Sequence, residues 1–307
     1  MTRFWTIKFL RTILTLWFVV TFAFVVLRTS GDPVVALIGA DALPAEIEQF
    51  RRQWGLDQPL FVQYLRYVGQ MALGEFGTSL RDQRPVIDII MERLPATLAL
   101  GLVAYGAALV IGIPAGIAAA LRRGRTLDRA IMAFAVFGFA LPNFFLGILL
   151  ILFFSLFLQI LPSSGSGTLA HLVMPAITLG TFTAGTLARF TRSAMLEVLD
   201  RPYMRAAAAK GVPAWKRVLF HALPNAAIPI VTVIGLNLGQ LIAGAIVVET
   251  VFGWPGIGRL LVQAVSSRDL AVVQALVLVI AATMVLANLL VDLLYGLLDP
   301  RIRGGAR

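Results

Sequence analysis

The 307-residue chain contains no cysteine and only two histidines, His171 and His221. Disulfide bonds and thiolate metal sites are therefore excluded. The sequence also lacks a GxxxxGK[ST] phosphate-binding loop and an HExxH zinc motif. We predict that the chain binds no metal and no cofactor, and that it does not hydrolyse ATP itself.

Charged residues are scarce. They make up 14% of the chain, whereas 59% of the residues are hydrophobic and the mean hydropathy is +0.86. Soluble domains contain about 25% charged residues. Several apolar runs reach the roughly 20 residues with which a helix crosses a bilayer, and the alternation of a transmembrane barrel is absent. The composition predicts an all-α polytopic membrane protein.

Six transmembrane helices are predicted, at residues 9–28, 96–121, 130–160, 170–189, 227–249 and 271–298. An even number places both termini on one side, which then carries 17 of the 26 Lys and Arg residues. The positive-inside rule makes that side the cytoplasm. The net charge of +10 is thus explained by topology, and we expect no nucleic-acid partner.

The predicted organisation has three parts. Residues 1–30 form a cytoplasmic N-terminus and helix 1, without a signal-peptide cleavage site. Residues 31–95 form an extracytoplasmic cap between helices 1 and 2, and residues 96–307 form the core. The core includes a cytoplasmic loop, residues 190–226, between helices 4 and 5.

The cap contains three predicted amphipathic helices. They begin near Pro44, Leu60 and Pro85, and they end at Gly55, Gly74 and Pro95. The first of them aligns Ile47, Phe50 and Trp54 on one face. Such helices have too little apolar area to fold alone, so we expect them to lie on the membrane surface or to pack on the spans. Within the core, Pro114 and Pro142 are expected to kink their spans, and Gly112 and Gly116 have the spacing of closely packed helices.

The loop between helices 4 and 5 is basic and rich in alanine. Arg201-Pro202 predicts the start of a helix, and Gly211-Val212-Pro213 predicts its end. A second helix is predicted from Ala214 to Ala222, ended by Leu223-Pro224. The small residues at 206–209 allow a partner to approach closely. Anchoring of this basic loop to anionic lipid is the alternative interpretation.

Ionisable residues are rare in the spans. Asp292 and Glu249 are expected near span ends, where they reach water or partners. A proton- or ion-coupled carrier needs a charge near the midplane, and the sequence shows none. This weighs against a lone secondary carrier or channel without excluding it. Four polar residues serve either a translocation path or helix–helix hydrogen bonds: Asn143, Asn237, Gln240 and Asn288.

An intramembrane serine hydrolase is a third hypothesis. Ser163, Ser164 and Ser166 lie close to His171 in the sequence. A nucleophile needs fixed geometry with its base, however, and this cluster follows Leu161-Pro162 in a short loop.

The basic loop resembles the EAA-x3-G-x9-I-x-L-P loop of ABC-importer permeases. The matching residues are Arg205-Ala206-Ala207, Gly211, His221 and Leu223-Pro224, with departures at Arg205 and His221. The chain is similar throughout to the B-type permease of the dipeptide/oligopeptide/nickel branch, although Leu270-Ala271 departs from it. Further matching segments are Gly55–Leu60, Gly74–Ser79, Arg93–Leu98, Glu249–Phe252, Pro255–Leu261 and Leu298–Arg301.

This resemblance implies the pore subunit of an ATP-driven importer in a bacterial inner membrane, moving peptides or similar small solutes by alternating access. Its implied partners are a second homologous permease, two ABC ATPases that carry ATP and Mg, and a periplasmic substrate-binding protein. The implied ATPase-coupling residues are Arg205, Ala206, Ala207, Gly211, Leu223 and Pro224. Gly211→Trp is expected to abolish coupling because the helix break is sterically tight. The sequence indicates no catalytic residue, and neither the substrate nor its binding site.

Overall fold

The computed structural model describes residues 2–29, 43–53, 55–79 and 81–298. These ranges form helices and no strand, apart from an isolated bridge between Thr78 and Pro85. The helices are α1 (Thr2–Thr29), α2 (Pro44–Gln53), α3 (Leu60–Leu73), α4 (Val86–Leu121), α5 (Thr126–Ala140), α6 (Asn143–Leu150), α7 (Leu169–Leu199), α8 (Pro202–Ala209), α9 (Ala214–Lys216), α10 (Leu223–Val251), α11 (Ile257–Ser266) and α12 (Leu270–Leu298). Two π-helical segments continue α6 and α9, at Ile151–Phe157 and Arg217–Ala222.

Among the described residues, five helical segments are long and apolar enough to cross a membrane. They lie in α1, α4, α7, the α9–α10 rod and α12. The pair α5 and α6 makes a sixth span if it counts as one, bent by 105°. The predicted kink at Pro142 is present. The residue before a proline avoids the helical conformation, and Leu141 is accordingly extended, which ends α5. The all-α prediction is therefore confirmed, and the number of spans reaches the predicted six when the bent pair counts as one.

Some predicted boundaries are wrong. Pro95 does not end a cap helix, because α4 runs without a break from Val86 to Leu121 through Pro95 and Pro114. Proline is tolerated inside a membrane-spanning helix because neighbouring groups and local adjustments of the backbone satisfy the carbonyl that it leaves without a partner. The fourth span extends ten residues beyond 189, since Thr191, Ala194 and Met195 continue the buried face of α7.

The first of two compact units comprises Met1–Ala96 and Pro255–Val285. Its core joins α11 to the start of α4 and to α12, through Val86, Ile90, Ile257, Val272 and Leu276 among others. The predicted division at residues 30 and 95 stays a prediction.

In this first unit α3 packs on α1. Tyr67 is buried beside Val20 and Phe24, and this burial raises the pKa of the Tyr67 phenol. The hydroxyls of Thr21 and Tyr64 are 2.7 Å apart. Packing of a cap helix on a span is thus confirmed for α3, whereas Trp54 of the first cap helix lies outside the described residues.

The second unit comprises Thr97–Trp254 and Leu286–Arg307. Its central helix is α7, which packs on α5 and α10. Helix α4 also approaches α7 closely: a Cβ placed at Gly112 would lie 2.7 Å from the Ala184 carbonyl oxygen, and one at Gly116 would lie 2.5 Å from that of Ala188. Any side chain at these positions would push the helices apart, so the predicted close packing is confirmed for this pair.

Candidate functional site

The segment 200–224 joins α7 to α10, and we call it the connecting segment. Helix α8 begins at Pro202, where a proline needs no hydrogen-bond donor, and it ends at Ala209. Gly211 then adopts a left-handed φ of +77°, which favours glycine. The predicted boundaries of this first helix are confirmed.

A single buried side chain anchors α8. Met204 is 4% exposed and contacts a cluster that includes Ala120 of α4, Met195 of α7 and Ala226 of α10. Because α8 leaves its remaining side chains exposed or half-buried, it is held at one point. That point lies where three long helices of the second unit meet.

The predicted coupling residues do not form one cluster. Arg205, Ala206 and Gly211 are exposed, whereas Ala207 is half-buried. Arg205 lies 3.5 Å from the carbonyl oxygen of Asp200. A Cβ at Gly211 would meet no atom within 4 Å, so the expectation of steric tightness there is wrong. What requires glycine is the backbone conformation.

The prediction that Leu223-Pro224 ends a helix is also wrong. Helical backbone continues from Ala214 through a π-helical turn at Arg217–Ala222 into α10, which reaches Val251. A π-helical turn pairs each carbonyl with the N–H five residues on, and Pro224 lies at the start of the α-helix that follows it. Pro224 is two residues beyond the last residue of this turn, Ala222. Leu223 is half-buried against the Met204 cluster, and Pro224 is exposed.

Exposed aromatic side chains lie on α8 and on the helical segment that follows it, and the sequence interpretation missed them. Tyr203, Trp215 and Phe220 are 43%, 57% and 65% exposed. Trp215 and Phe220 pack edge to face with centroids 6.3 Å apart, and the Lys216 ammonium lies 5.4 Å from the Trp215 ring. Aromatic residues in a basic loop were the available signal, since exposed rings mark contact surfaces.

An ion pair supports the base of the connecting segment. The Arg192 guanidinium of α7 donates two hydrogen bonds to the buried Asp128 carboxylate of α5, at 2.6 and 2.8 Å. The Gly124 N–H donates a third, at 2.9 Å. Bidentate pairing fixes both position and orientation, so the start of α5 is tied to α7 at Arg192, seven residues before α7 ends at Leu199.

The polar residues predicted within the spans differ in their burial. Asn237 is buried and donates to the Val233 carbonyl of its own helix, at 2.9 Å, rather than across helices. Asn143 is half-buried and Asn288 is exposed. The side chains of Gln240 and Asp292 lie outside the described residues, as do Asp299-Pro300-Arg301 and the chain termini.

The expectation that Glu249 reaches water is wrong. Its side chain is 0% exposed, and the Thr97 hydroxyl donates to its Oε1 at 2.6 Å. The face of α10 that carries Glu249 packs on α4, which the position of Glu249 near a span end did not reveal.

His171 Nδ1 lies 2.8 Å from the Thr168 hydroxyl, a contact that gives the serine hydrolase hypothesis no support. Within the described ranges, no group of three or more His, Asp or Glu residues is suited to a metal ion.

Two family models match almost the whole chain. The model of the binding-protein-dependent transport system inner membrane component matches residues 112–304, and the corresponding N-terminal model matches residues 1–101. The chain belongs to this family of inner-membrane transport components. This permease is therefore a multi-pass inner-membrane protein of an ABC importer. It is a pore subunit and not an enzyme, since ATPase activity in this family is carried by separate subunits.

Curated relatives of the permease agree with this assignment. It is 46% identical over 273 residues to the glutathione transport system permease protein GsiC of Escherichia coli strain K12, and the match covers 89% of both chains. GsiC of Salmonella paratyphi A is also 46% identical over the same length.

A solved structure shares the permease's fold. The structure describes inward-facing conformations of the MetNI methionine ABC transporter, and a chain in it matches with a TM-score of 0.61 and 21% identity. The match covers 70% of the permease and 98% of that chain. Two-thirds of the permease thus has the fold of a known ABC-transporter chain.

Proposed function

We propose that this permease moves small peptide-like solutes by alternating access and that its connecting segment docks on an ABC ATPase. The 46% identity to a glutathione permease, over 89% of both chains, supports this substrate class. Arg205, Ala206, Ala207 and Gly211 lie on or directly after α8, and Leu223 and Pro224 lie where the helical rod enters α10.

The proposed assembly contains a second homologous permease, two ABC ATPases that bind ATP and Mg, and a periplasmic substrate-binding protein. Both termini and the connecting segment lie in the cytoplasm in this proposal. The concentration of Lys and Arg in the termini, residues 122–129 and residues 189–217 supports this orientation. The cap segment, residues 31–95, helps to seat the binding protein.

The arrangement of α8 carries the coupling proposal. Its exposed alanines let another helix approach closely, while Met204 fixes it to the ends of α4, α7 and α10. The helical rod from Ala214 to Val251 has no hinge loop between the exposed Trp215 and the span. A push on the connecting segment is therefore transmitted directly to α10.

The test compares Ala206→Trp with Ala206→Ser in the assembled importer, reconstituted in proteoliposomes with its ATPases and binding protein. Ala206 is exposed, so neither change disturbs the packing of the permease. We expect Trp to lower ATP-driven uptake about tenfold or more by blocking close approach, and Ser to leave uptake near wild type. Wild-type uptake and ATPase stimulation in Ala206→Trp would overturn the docking role.

Lipid anchoring is the second candidate for the connecting segment, and the exposed Trp215 beside Lys216 favours it. In that case Trp215→Ala weakens uptake in vesicles with anionic lipid only, and Ala206→Trp has no effect. The two variants together separate the candidates.

A further inference from the structure

Three helices of the second unit line an open cavity of about 430 Å³. This volume is within the usual range for small-molecule sites. The cavity has a polar and aromatic lining, and we call it the Arg189 cavity. Its lining residues are Phe139 of α5, Phe182, Thr186, Arg189 and Phe190 of α7, and Pro229, Thr232, Val233, Leu236 and Asn237 of α10.

Two regular helix faces form its walls. On α7, Phe182, Thr186 and Arg189 follow one another at intervals of four and three residues, which places them on one face. On α10, Pro229 and Val233 share a face with Asn237 in the same way. The lining is therefore built from rigid elements, where side chains are positioned more reproducibly than on loops.

Arg189 brings a positive charge into this cavity. Its guanidinium lies 5.3 Å from the ring centre of Phe139 and 5.4 Å from that of Phe190. Among the described residues, no carboxylate forms an ion pair with it. Arg192, one turn further along α7, has its charge balanced by Asp128. The Arg189 side chain is exposed towards the end of α7 where the basic residues begin, so its charge is available to an anion.

Thr186 supplies an independent indication of a ligand. Its side chain is 8% exposed, and its Oγ1 has no hydrogen-bond partner among the described residues. A buried hydroxyl without a partner costs free energy unless something else satisfies it. Since Thr186 is three residues before Arg189, both can donate to the same carboxylate.

Asn237 completes the polar lining. It is 5% exposed, and its Nδ2 is used by the Val233 carbonyl. Its Oδ1 is the atom of this side chain that can accept from an N–H group of a solute. The cavity thus combines two donors for a carboxylate, one acceptor for an amide or ammonium, and aromatic walls.

A second cavity beside α7 shows that this lining is specific. It has a volume of about 520 Å³ and is lined almost wholly by alanine, glycine, isoleucine and phenylalanine, including Ile111, Ile131 and Phe134. No charged residue lines it. Such a surface suits lipid or another apolar helix, whereas the Arg189 cavity suits a polar solute.

We propose that the Arg189 cavity binds a carboxylate of the transported solute near the cytoplasmic end of the spans, through the Arg189 guanidinium and the Thr186 hydroxyl. The solutes it selects are small organic anions that also carry an N–H group. This inference rests on the proposed function, namely the transport of peptide-like solutes. No covalent step is involved.

The test measures ATP-driven uptake of glutathione and of its amidated, carboxylate-free analogue by the whole importer in proteoliposomes. The variants are Arg189→Met, which removes the charge, Arg189→Lys, which keeps it, and Arg122→Met, a control at an exposed arginine of the same unit. We expect Arg189→Met to lower glutathione uptake about tenfold or more and to leave uptake of the analogue unchanged. Arg189→Lys should retain most uptake, and Arg122→Met should match wild type.

Each other outcome overturns the inference. Equal glutathione uptake by wild type and Arg189→Met would refute the site alone and leave the proposed function intact. A wild-type importer that moves neither these compounds nor any di- or tripeptide would refute the proposed function and the site with it. An effect of Arg189→Met that vanishes in vesicles without anionic lipid would identify a lipid headgroup as the ligand. Loss of the second permease from the Arg189→Met complex on size-exclusion chromatography would show a subunit contact instead.

Discussion

Two short helices that join long spans, α8 and α11, are held in different ways. Helix α8 is anchored by Met204 and leaves its alanines and the neighbouring Tyr203 exposed. Helix α11 buries Ile257, Gly258 and Ala264 in the core of its own unit. The backbone after α11 is also held in place, because the buried Ser79 hydroxyl donates a hydrogen bond to Asp269 Oδ2 at 2.5 Å.

The difference indicates different roles. A helix whose apolar face is buried along its length stabilises its unit, and changes in it cost folding free energy. A helix held at one point with a free face is suited to binding a partner, and most changes on that face cost function without stability. Three variants test this comparison.

The largest effect is expected for Asp269→Ala. This change leaves the buried Ser79 hydroxyl and the Val272 N–H without their acceptor, and we expect a loss of about 3–4 kcal/mol in the free energy of unfolding. The midpoint of thermal unfolding in detergent measures it. Asp269→Asn, which keeps an oxygen acceptor, should lose less. If Asp269→Ala unfolds at the wild-type temperature, the end of α11 is not fixed by this contact.

A smaller loss, about 2 kcal/mol, is expected for Met204→Ala, because the change creates a cavity among the ends of α4, α7 and α10. Met204→Leu conserves volume and should cost less than about 1.5 kcal/mol. The same thermal unfolding measurement applies, together with ATP-driven uptake. Since Met204 is the buried side chain that holds α8, uptake in Met204→Ala should fall by more than the loss of folded protein accounts for. A fall in uptake that only matches the loss of folded protein would make α8 a structural helix like α11.

The smallest effect, about 1 kcal/mol, is expected for Gly211→Ala, because a Cβ is disfavoured at a φ of +77°. Local opening should then speed tryptic cleavage after Lys210 by about fivefold. Gly211→Asn should be milder, since asparagine tolerates this conformation. Gly69→Ala is the control, as Gly69 lies within α3 with open space around it. An unchanged cleavage rate in Gly211→Ala would mean that the break after α8 does not depend on glycine.

The connecting segment illustrates how far sequence reasoning reached. The start of α8 at Pro202 and its end before Gly211 depend on local backbone chemistry, and both were predictable. The same chemistry misled at Pro95 and Pro224, where prolines lie inside continuous helix. Helix continuity there depends on packing of the flanking turns and on a π-helical turn, neither of which a local pattern encodes.

The candidate sites were less predictable than the helices. The alanines and glycine of the connecting segment were found from their spacing, but the exposed Trp215 and Phe220 beside them were not. Asp128 and Arg192 are 64 residues apart in the sequence. Arg189 and Arg192 lie on the same helix, but Arg192 pairs with Asp128 whereas Arg189 lies over the Phe139 ring. Sequence spacing within one helix says which residues share a face, but not which other helix that face meets.

The sequence by itself determined that the chain is helical and membrane-spanning, where its long helices lie, and that its basic loop contains a short helix ended by glycine. Apolar run length, charge placement and the conformational limits of proline and glycine act locally, so they can be recognised from the sequence alone. The tertiary structure alone decided the 105° bend between α5 and α6, the burial of Glu249, the pairing of Asp128 with Arg192 and the cavity that contains Arg189. Each of these depends on which helix faces meet, and that choice is made by packing between residues far apart in the chain.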